Sequence, residues 1–211
     1  KTGAAFMRGD RRCEFYFSEQ YTEGWTWTWQ VKRADFDLTL ARAAQANGVD
    51  LNFECEVLQV DCSESEQKIQ YKDVHNELHW VQSKFIIDSS GYGRVLPRLF
   101  DLNKPSAFTA RGAVFAHWED NERSEKASNN IFVHSFDENK SWIWAIPFSD
   151  GSTSVGIVSD REKVEDLAQN DGQKYEAFIR TFPDLKGRFT KAHTKFTPKN
   201  ILGYSIGVKQ M

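Results

Sequence analysis

Ser141-Trp142-Ile143-Trp144-Ala145-Ile146-Pro147-Phe148 is the stretch on which the reading of this chain turns. It consists of aromatic and branched residues, with Asn139-Lys140 before it and Ser149-Asp150-Gly151 after it, which is the composition and punctuation of a β-strand. Side chains alternate between the two faces of a strand. Trp142, Trp144 and Ile146 therefore share one face, and Ile143 and Ala145 the other. Both sets are apolar, which predicts a strand covered on both sides. Asp150-Gly151 turns the chain into Thr153-Ser154-Val155-Gly156-Ile157-Val158, the expected hairpin partner. Two indoles on one face make a rigid wall. Such a wall lines a pocket for a flat organic molecule or, alternatively, fills an ordinary sheet core.

Outward from this strand, the chain carries the material of a folded protein. Its 211 residues are 40% hydrophobic and 14% aromatic, with 7 Trp and 16 Phe, enough for a domain or a domain and a half with a well-supplied core. The formal net charge is -3, and the Lys and Arg residues are dispersed, so no nucleic-acid partner is indicated. No apolar run is long enough for a membrane span, and no signal peptide is visible. Cys13, Cys55 and Cys62 form no Cys-x-x-Cys pair, which predicts three reduced, mostly buried thiols in a cytoplasmic protein. The five histidines are scattered. His75 and His79 are four apart but flank an expected hairpin, so no metal site is predicted.

In order, the chain reads as strands around Gly9-Asp10, then an alternating aromatic strand over 21–32 carrying Trp25, Trp27 and Trp29. That strand is either a core edge or a second pocket wall. A helix is expected over 34–48, closed by Gly48. A strand from Phe53 to Val60 and a hairpin across Asp73 to Glu77 follow. Lys84 to Gly91 is predicted to be a buried strand ending in a small-residue turn, with a short helix from Arg94 to Leu99 after it. Strands return at 108–118, 131–136 and 141–158, separated by a charged loop over 119–130. Two helices meet at Asn170-Asp171-Gly172, Pro183 stops the second, and 190–208 is again strand-like.

Trp142-x-Trp144-x-Ile146-Pro147, followed by the Ser-Asp-Gly-x-Thr-Ser-Val-Gly hairpin, resembles the signature strand of the flavin-dependent halogenase family within the FAD-dependent monooxygenases and reductases. Trp29-Gln30-Val31-x-Arg33-x-x-Phe36-Asp37 is similar to the segment by which this superfamily re-enters its FAD domain. Asp88-Ser89-Ser90-Gly91 resembles its Asp-x-Ser-Gly turn. The resemblance implies FAD as cofactor, with Arg33, Asp88 and Gly91 as cofactor-binding residues. It implies a substrate pocket at Trp142, Trp144, Ile146 and Pro147. An arginine fork matches phosphate oxygens in pairs, and a glycine lets backbone approach a dinucleotide closely. Without the resemblance, Arg33 reads as a solvated residue at a helix entry.

The implied fold class is α+β with an α/β remnant: an antiparallel substrate-side sheet with helices, plus part of a Rossmann-like FAD layer. The expected division is 1–32 as strands of the substrate-side sheet, 33–104 as partial FAD-binding domain, 105–200 as substrate-binding sheet with two helices, and 201–211 as the return toward the FAD domain. The superfamily's Gly-x-Gly-x-x-Gly turn is missing, Gly91-Tyr92-Gly93 being the nearest approach. The expectation is an internal fragment that binds FAD weakly or not at all by itself and has exposed edges able to form a dimer.

The implied chemistry uses reduced FAD, dioxygen and a halide. A hypohalous acid passes the tryptophan wall and meets an electron-rich small-molecule substrate, and a separate flavin reductase is a candidate partner. The family relays the hypohalous acid through a lysine. Lys1 is the candidate here; at the position used in some relatives this chain has Met7, next to Arg8. Two other readings stand beside this one: an FAD-dependent monooxygenase or prenyl- or lipid-chain reductase of the same superfamily, and a non-catalytic ligand-binding β-domain.

Overall fold

The computed structural model describes residues 1–211 except 64, 124–129, 186, 204 and 210–211. Its architecture is α+β. Two compact units are interleaved in sequence: 1–31 with 108–205, and 32–107 with 206–211.

In the first unit the alternating segments pair into a seven-stranded sheet. Its strands are β1 (Gly3–Arg8), β2 (Arg11–Tyr16), β7 (Gly112–Glu119), β8 (Asn130–Phe136), β9 (Ser141–Pro147), β10 (Ser152–Ser159) and β11 (Lys199–Leu202), arranged in the order β11-β7-β10-β9-β8-β1-β2. Every neighbouring pair is antiparallel except β1 and β8, which run parallel from Gly3↔Asn130 to Arg8↔Ser135. The quoted strand is thus interior, held by β8 and β10. The register Trp142↔Val158, Trp144↔Gly156, Ile146↔Ser154 aligns both residues of each pair on the same face.

One face of this sheet carries the core. Val114, Ala116, Trp118, Ile143, Ala145, Val155 and Ile157 pack against α3 (Arg161–Leu167) and α4 (Gln169–Thr181) through Val164, Leu167, Tyr175 and Ile179, all buried. Asp160 caps α3 by accepting from the Lys163 amide at 2.9 Å. Asn170, Asp171 and Gly172 are left-handed, which breaks the chain between the two helices at the place the sequence indicates. The one polar tie across the layer is Tyr175. Its hydroxyl donates to the Val155 carbonyl at 2.8 Å and accepts from Trp118 Nε1 at 2.9 Å. Burial pushes the phenol far above its usual value, so it stays neutral at all ordinary pH.

The second unit holds α1 (Arg33–Ala46), an antiparallel meander of β3 (Glu56–Cys62), β4 (Gln67–Lys72) and β5 (Leu78–Ser83), the short helix α2 (Val95–Leu99), and a two-stranded ribbon of β6 (Asn103–Pro105) with β12 (Ile206–Val208).

Four expectations are corrected. Residues 21–32 form no strand: Lys1 and Thr28 exchange two backbone bonds, and no ladder continues from them among the described residues. The three indoles stack edge to face instead, with centroids 5.3 and 4.9 Å apart. Residues 84–90 find no ladder partner either, and Phe85 and Ile87 are 77% and 80% exposed. Cys13 and Cys62 are exposed and Cys55 half-buried, because the edge strand β2 and the meander are open to solvent. The quoted strand is sealed on one face only, with Ile143, Ala145 and Pro147 buried and Trp142, Trp144 and Ile146 half-buried.

Replacing Tyr175 by Phe strands a buried indole donor and a buried carbonyl together. Urea unfolding of Tyr175→Phe should show a loss of about 1–3 kcal/mol.

Candidate functional site

Alternation explains the half-open indole face. With Ile143 and Ala145 committed to the helix layer, Trp142, Trp144 and Ile146 must point the other way. Strand register places Gly156 and Ser154 of β10, and Phe115 and His117 of β7, on the same side. Gly156 leaves the space that Trp144 fills: a Cβ there would run into the six-membered ring of that indole. Trp144 Nε1 donates to Ser154 Oγ at 3.2 Å. Phe115 lies 6.3 Å from Trp144 between ring centroids, and Phe196 and Phe148 close on His117 at 5.1 Å each. The Arg111 guanidinium stands 5.1 Å from the Trp142 ring and donates to the Lys140 carbonyl, a cation–π pair of about 0.5–1 kcal/mol that fixes the second indole. The result is a flat aromatic surface whose tryptophans are braced by neighbours yet still accessible.

Lys1 precedes β1, at the end of the sheet where β8 begins and β9 finishes at Pro147. Burial, and then the charge of Arg123, pull its ε-ammonium below the usual lysine value. Arg123 belongs to a buried ion network that the sequence did not reveal. The Asp120 carboxylate, with no exposed surface, accepts from Arg123 Nε at 3.0 Å, from Arg188 Nε and Nη2 at 3.0 and 2.6 Å, and from Thr153 Oγ1. Burial alone would push this carboxyl up. The bonds from Arg188, Thr153 and Arg123 outweigh burial and hold it below the usual carboxylate range. Arg123 also donates to the carbonyls of Phe148 at 2.8 Å and Ser152 at 2.6 Å, closing the β9–β10 turn. Asp120 and Arg123 sit in the segment read from sequence as a charged loop, of which 124–129 lie outside the described residues.

The three residues expected at the cofactor lie in the second unit. Arg33, in the first turn of α1, is exposed and points its fork at Asp37, with both contacts at 3.0 Å. Asp88 accepts from the amides of Ser90 at 2.8 Å and Leu96 at 3.0 Å, while Ser90 Oγ accepts from the Val95 amide at 2.9 Å. Bonds from the Ser90 side chain and amide and from the Leu96 amide hold the Asp88 carboxyl below the usual range. This carboxylate shapes the turn and caps α2. Gly91 has φ +54 with open space where a Cβ would stand, the conformation and clearance a close backbone approach requires. No bond joins Arg33 to this turn among the described residues. In the same unit the β4–β5 turn gathers Asp73, Glu77 and His79 within 4.8 Å. Asp73 is already engaged there, accepting from the His75 and Glu77 amides and facing His79 Nε2 at 2.8 Å.

Residues 5–202 match the family described as tryptophan halogenase, and the chain belongs to that family. It is 30% identical over 188 residues to a 1H-pyrrole-2-carbonyl-[peptidyl-carrier protein] brominase of Pseudoalteromonas luteoviolacea, across 86% of this chain and 45% of that protein. It is 26% identical over 214 residues to the corresponding chlorinase of Pseudomonas fluorescens, across 95% of this chain and 46% of that one. The chain spans about half the length of these relatives. A solved flavoprotein/dehydrogenase of Cytophaga hutchinsonii superposes on the whole chain with a TM-score of 0.90 at 38% identity, this chain covering 52% of it.

Two outcomes follow. In Gly156→Ala the new methyl displaces the Trp144 ring, so intrinsic fluorescence should shift and stability fall by about 1–3 kcal/mol. The Asp120 carboxyl titrates lower in the folded chain than in the unfolded one, so its contribution is full above pH ~4 and is lost as pH falls through the folded value. The melting-temperature advantage of the wild type over Asp120→Asn should therefore be large at pH 7 and shrink in acid.

Proposed function

We propose that this chain supplies the substrate-side sheet and part of the cofactor-binding portion of an FAD-dependent halogenase acting on an electron-rich aromatic ring. The observation that carries the reading is the half-open indole face of β9 with Lys1 at the same end of the sheet, in a chain of the tryptophan halogenase family. The first unit is read as the substrate side and the second as part of the FAD side.

The residues present suit a dinucleotide. Gly91 offers open, left-handed backbone. Arg33 offers an exposed fork for phosphate once it leaves Asp37, and Asp88 acts by holding the turn on α2. When bound, reduced FAD supplies the reducing equivalents that, with dioxygen and a halide, yield a hypohalous acid. The protein's own part is placement. Trp142 and Trp144 form a wall along which the oxidant travels and which keeps the substrate ring off the flavin, with Ile146 and Pro147 fixing the end of that wall. Lys1, readily deprotonated, hydrogen-bonds the hypohalous acid and presents its halogen to the ring. The substrate class follows the pyrrole-ring brominase and chlorinase among the relatives. A separate flavin reductase, a cytoplasmic setting in which three free thiols stay reduced, and a dimer through exposed strand edges complete the reading. No helix among the described residues is long and apolar enough to cross a membrane.

A second reading is favoured by the 38% identity to a flavoprotein/dehydrogenase: the same fold serving as a monooxygenase or a prenyl- or lipid-chain reductase.

One assay separates the two. The whole protein is given reduced FAD, oxygen and bromide with a phenolic hypohalite trap. The halogenase reading requires bromination of the trap, and transfer to substrate falling by more than 100-fold in Lys1→Ala while flavin oxidation continues. Flavin oxidation with peroxide release and no bromination moves the second reading ahead.

A further inference from the structure

The ion network beside Lys1 has an imbalance of charge. Arg123 and Arg188 share the single carboxylate of Asp120, so one guanidinium charge is left over in a buried setting. Arg188 gives both of its printed nitrogen contacts to Asp120 and reaches Thr153 at 3.4 Å. Arg123 makes a single bond to Asp120 and spends its remaining nitrogens on neutral acceptors: the Phe148 and Ser152 carbonyls and Thr153 Oγ1. The surplus charge is therefore on Arg123, the member whose field reaches Lys1. Register carries the same conclusion. Arg123 grips the two ends of the β9–β10 turn, β8 begins beside the end of β9, and β1 runs parallel to β8 from its first residue.

We propose that Arg123 is a positioning residue for Lys1: it clamps the β9–β10 turn at the end of the sheet where Lys1 lies, and it sets a positive charge that Asp120 does not cancel against the lysine ε-amine. The clamp keeps the pocket end of the tryptophan wall and the lysine in fixed relation. The charge favours the neutral amine, the form able to accept a hydrogen bond from a hypohalous acid. The inference rests on reading Lys1 as the relay group. The other charged groups at this end are accounted for: the α-ammonium of Lys1 donates to the Thr28 carbonyl, Asp150 pairs with Lys195 at 3.6 Å, and Glu122 is exposed.

The test is an NMR titration of the Lys1 ε-methylene in the folded chain labelled with 13C-lysine. It is done for the wild type, Arg123→Gln, Arg123→Lys and Arg188→Gln. The wild-type midpoint should lie below the ordinary lysine value of ~10.4. Arg123→Gln should move it up toward that value, and Arg123→Lys should keep it low. Arg188→Gln leaves Asp120 to neutralise Arg123 and should move the midpoint up with the turn clamp intact, which answers the question even where Arg123→Gln fails to fold. An ordinary midpoint in the wild type, no movement in a folded Arg123→Gln or Arg188→Gln, or Arg123→Lys following Arg123→Gln upward would each overturn the proposal. The titration needs no flavin and no substrate. A whole protein that halogenates normally without Lys1 would sink the relay reading and leave the titration result standing.

Discussion

Tyr175 holds the helix layer to one face of the seven-stranded sheet, and that one-sided cover governs the rest of the first unit. With the Trp118 indole and the Val155 carbonyl both spent on its hydroxyl, α4 is fixed over Ile143, Ala145, Val155 and Ile157. Because a strand alternates, burying those side chains leaves Trp142, Trp144 and Ile146 on the opposite face. The indoles are then braced from within that face. Gly156 makes room for one, Arg111 stacks on the other, and Phe115, His117, Phe196 and Phe148 extend the surface. A rigid aromatic surface with little freedom to collapse is suited to guiding a small reactive species past a flat ring.

The end of the sheet is organised by charge. Asp120 is affordable in the interior only because two guanidiniums and a threonine hydroxyl surround it, and the same guanidiniums close the β9–β10 turn and hold Asp120 itself ionised. Lys1 lies within reach of this field. Strength of pairing and reactivity of the neighbouring amine are thus two consequences of one arrangement.

In the second unit, local chemistry is more developed than burial. Asp88 and Ser90 satisfy amides at the start of α2, and Asp73 does the same for the β4–β5 turn, so turns are well formed. Large apolar residues such as Phe85, Ile87, Phe36 and Leu40 nevertheless remain exposed. Turn chemistry needs partners only a few residues away, whereas covering an apolar residue needs a neighbour distant in sequence.

The sequence by itself determined the hairpin of β9 and β10, the break at Asn170-Asp171-Gly172, the extent of α1 and the family, because each depends on alternation, on helix punctuation or on a short motif. Only the tertiary structure decided which face of β9 is sealed, since both faces read as apolar and the helix layer chose between them. Only it revealed that Trp25, Trp27 and Trp29 stack without forming a strand and that Lys84 to Ser90 stays unpaired, because a strand exists only where another offers its backbone. Only it joined Asp120, Arg123 and Arg188, which lie up to 68 residues apart and carry no mark in the sequence that they share one buried charge.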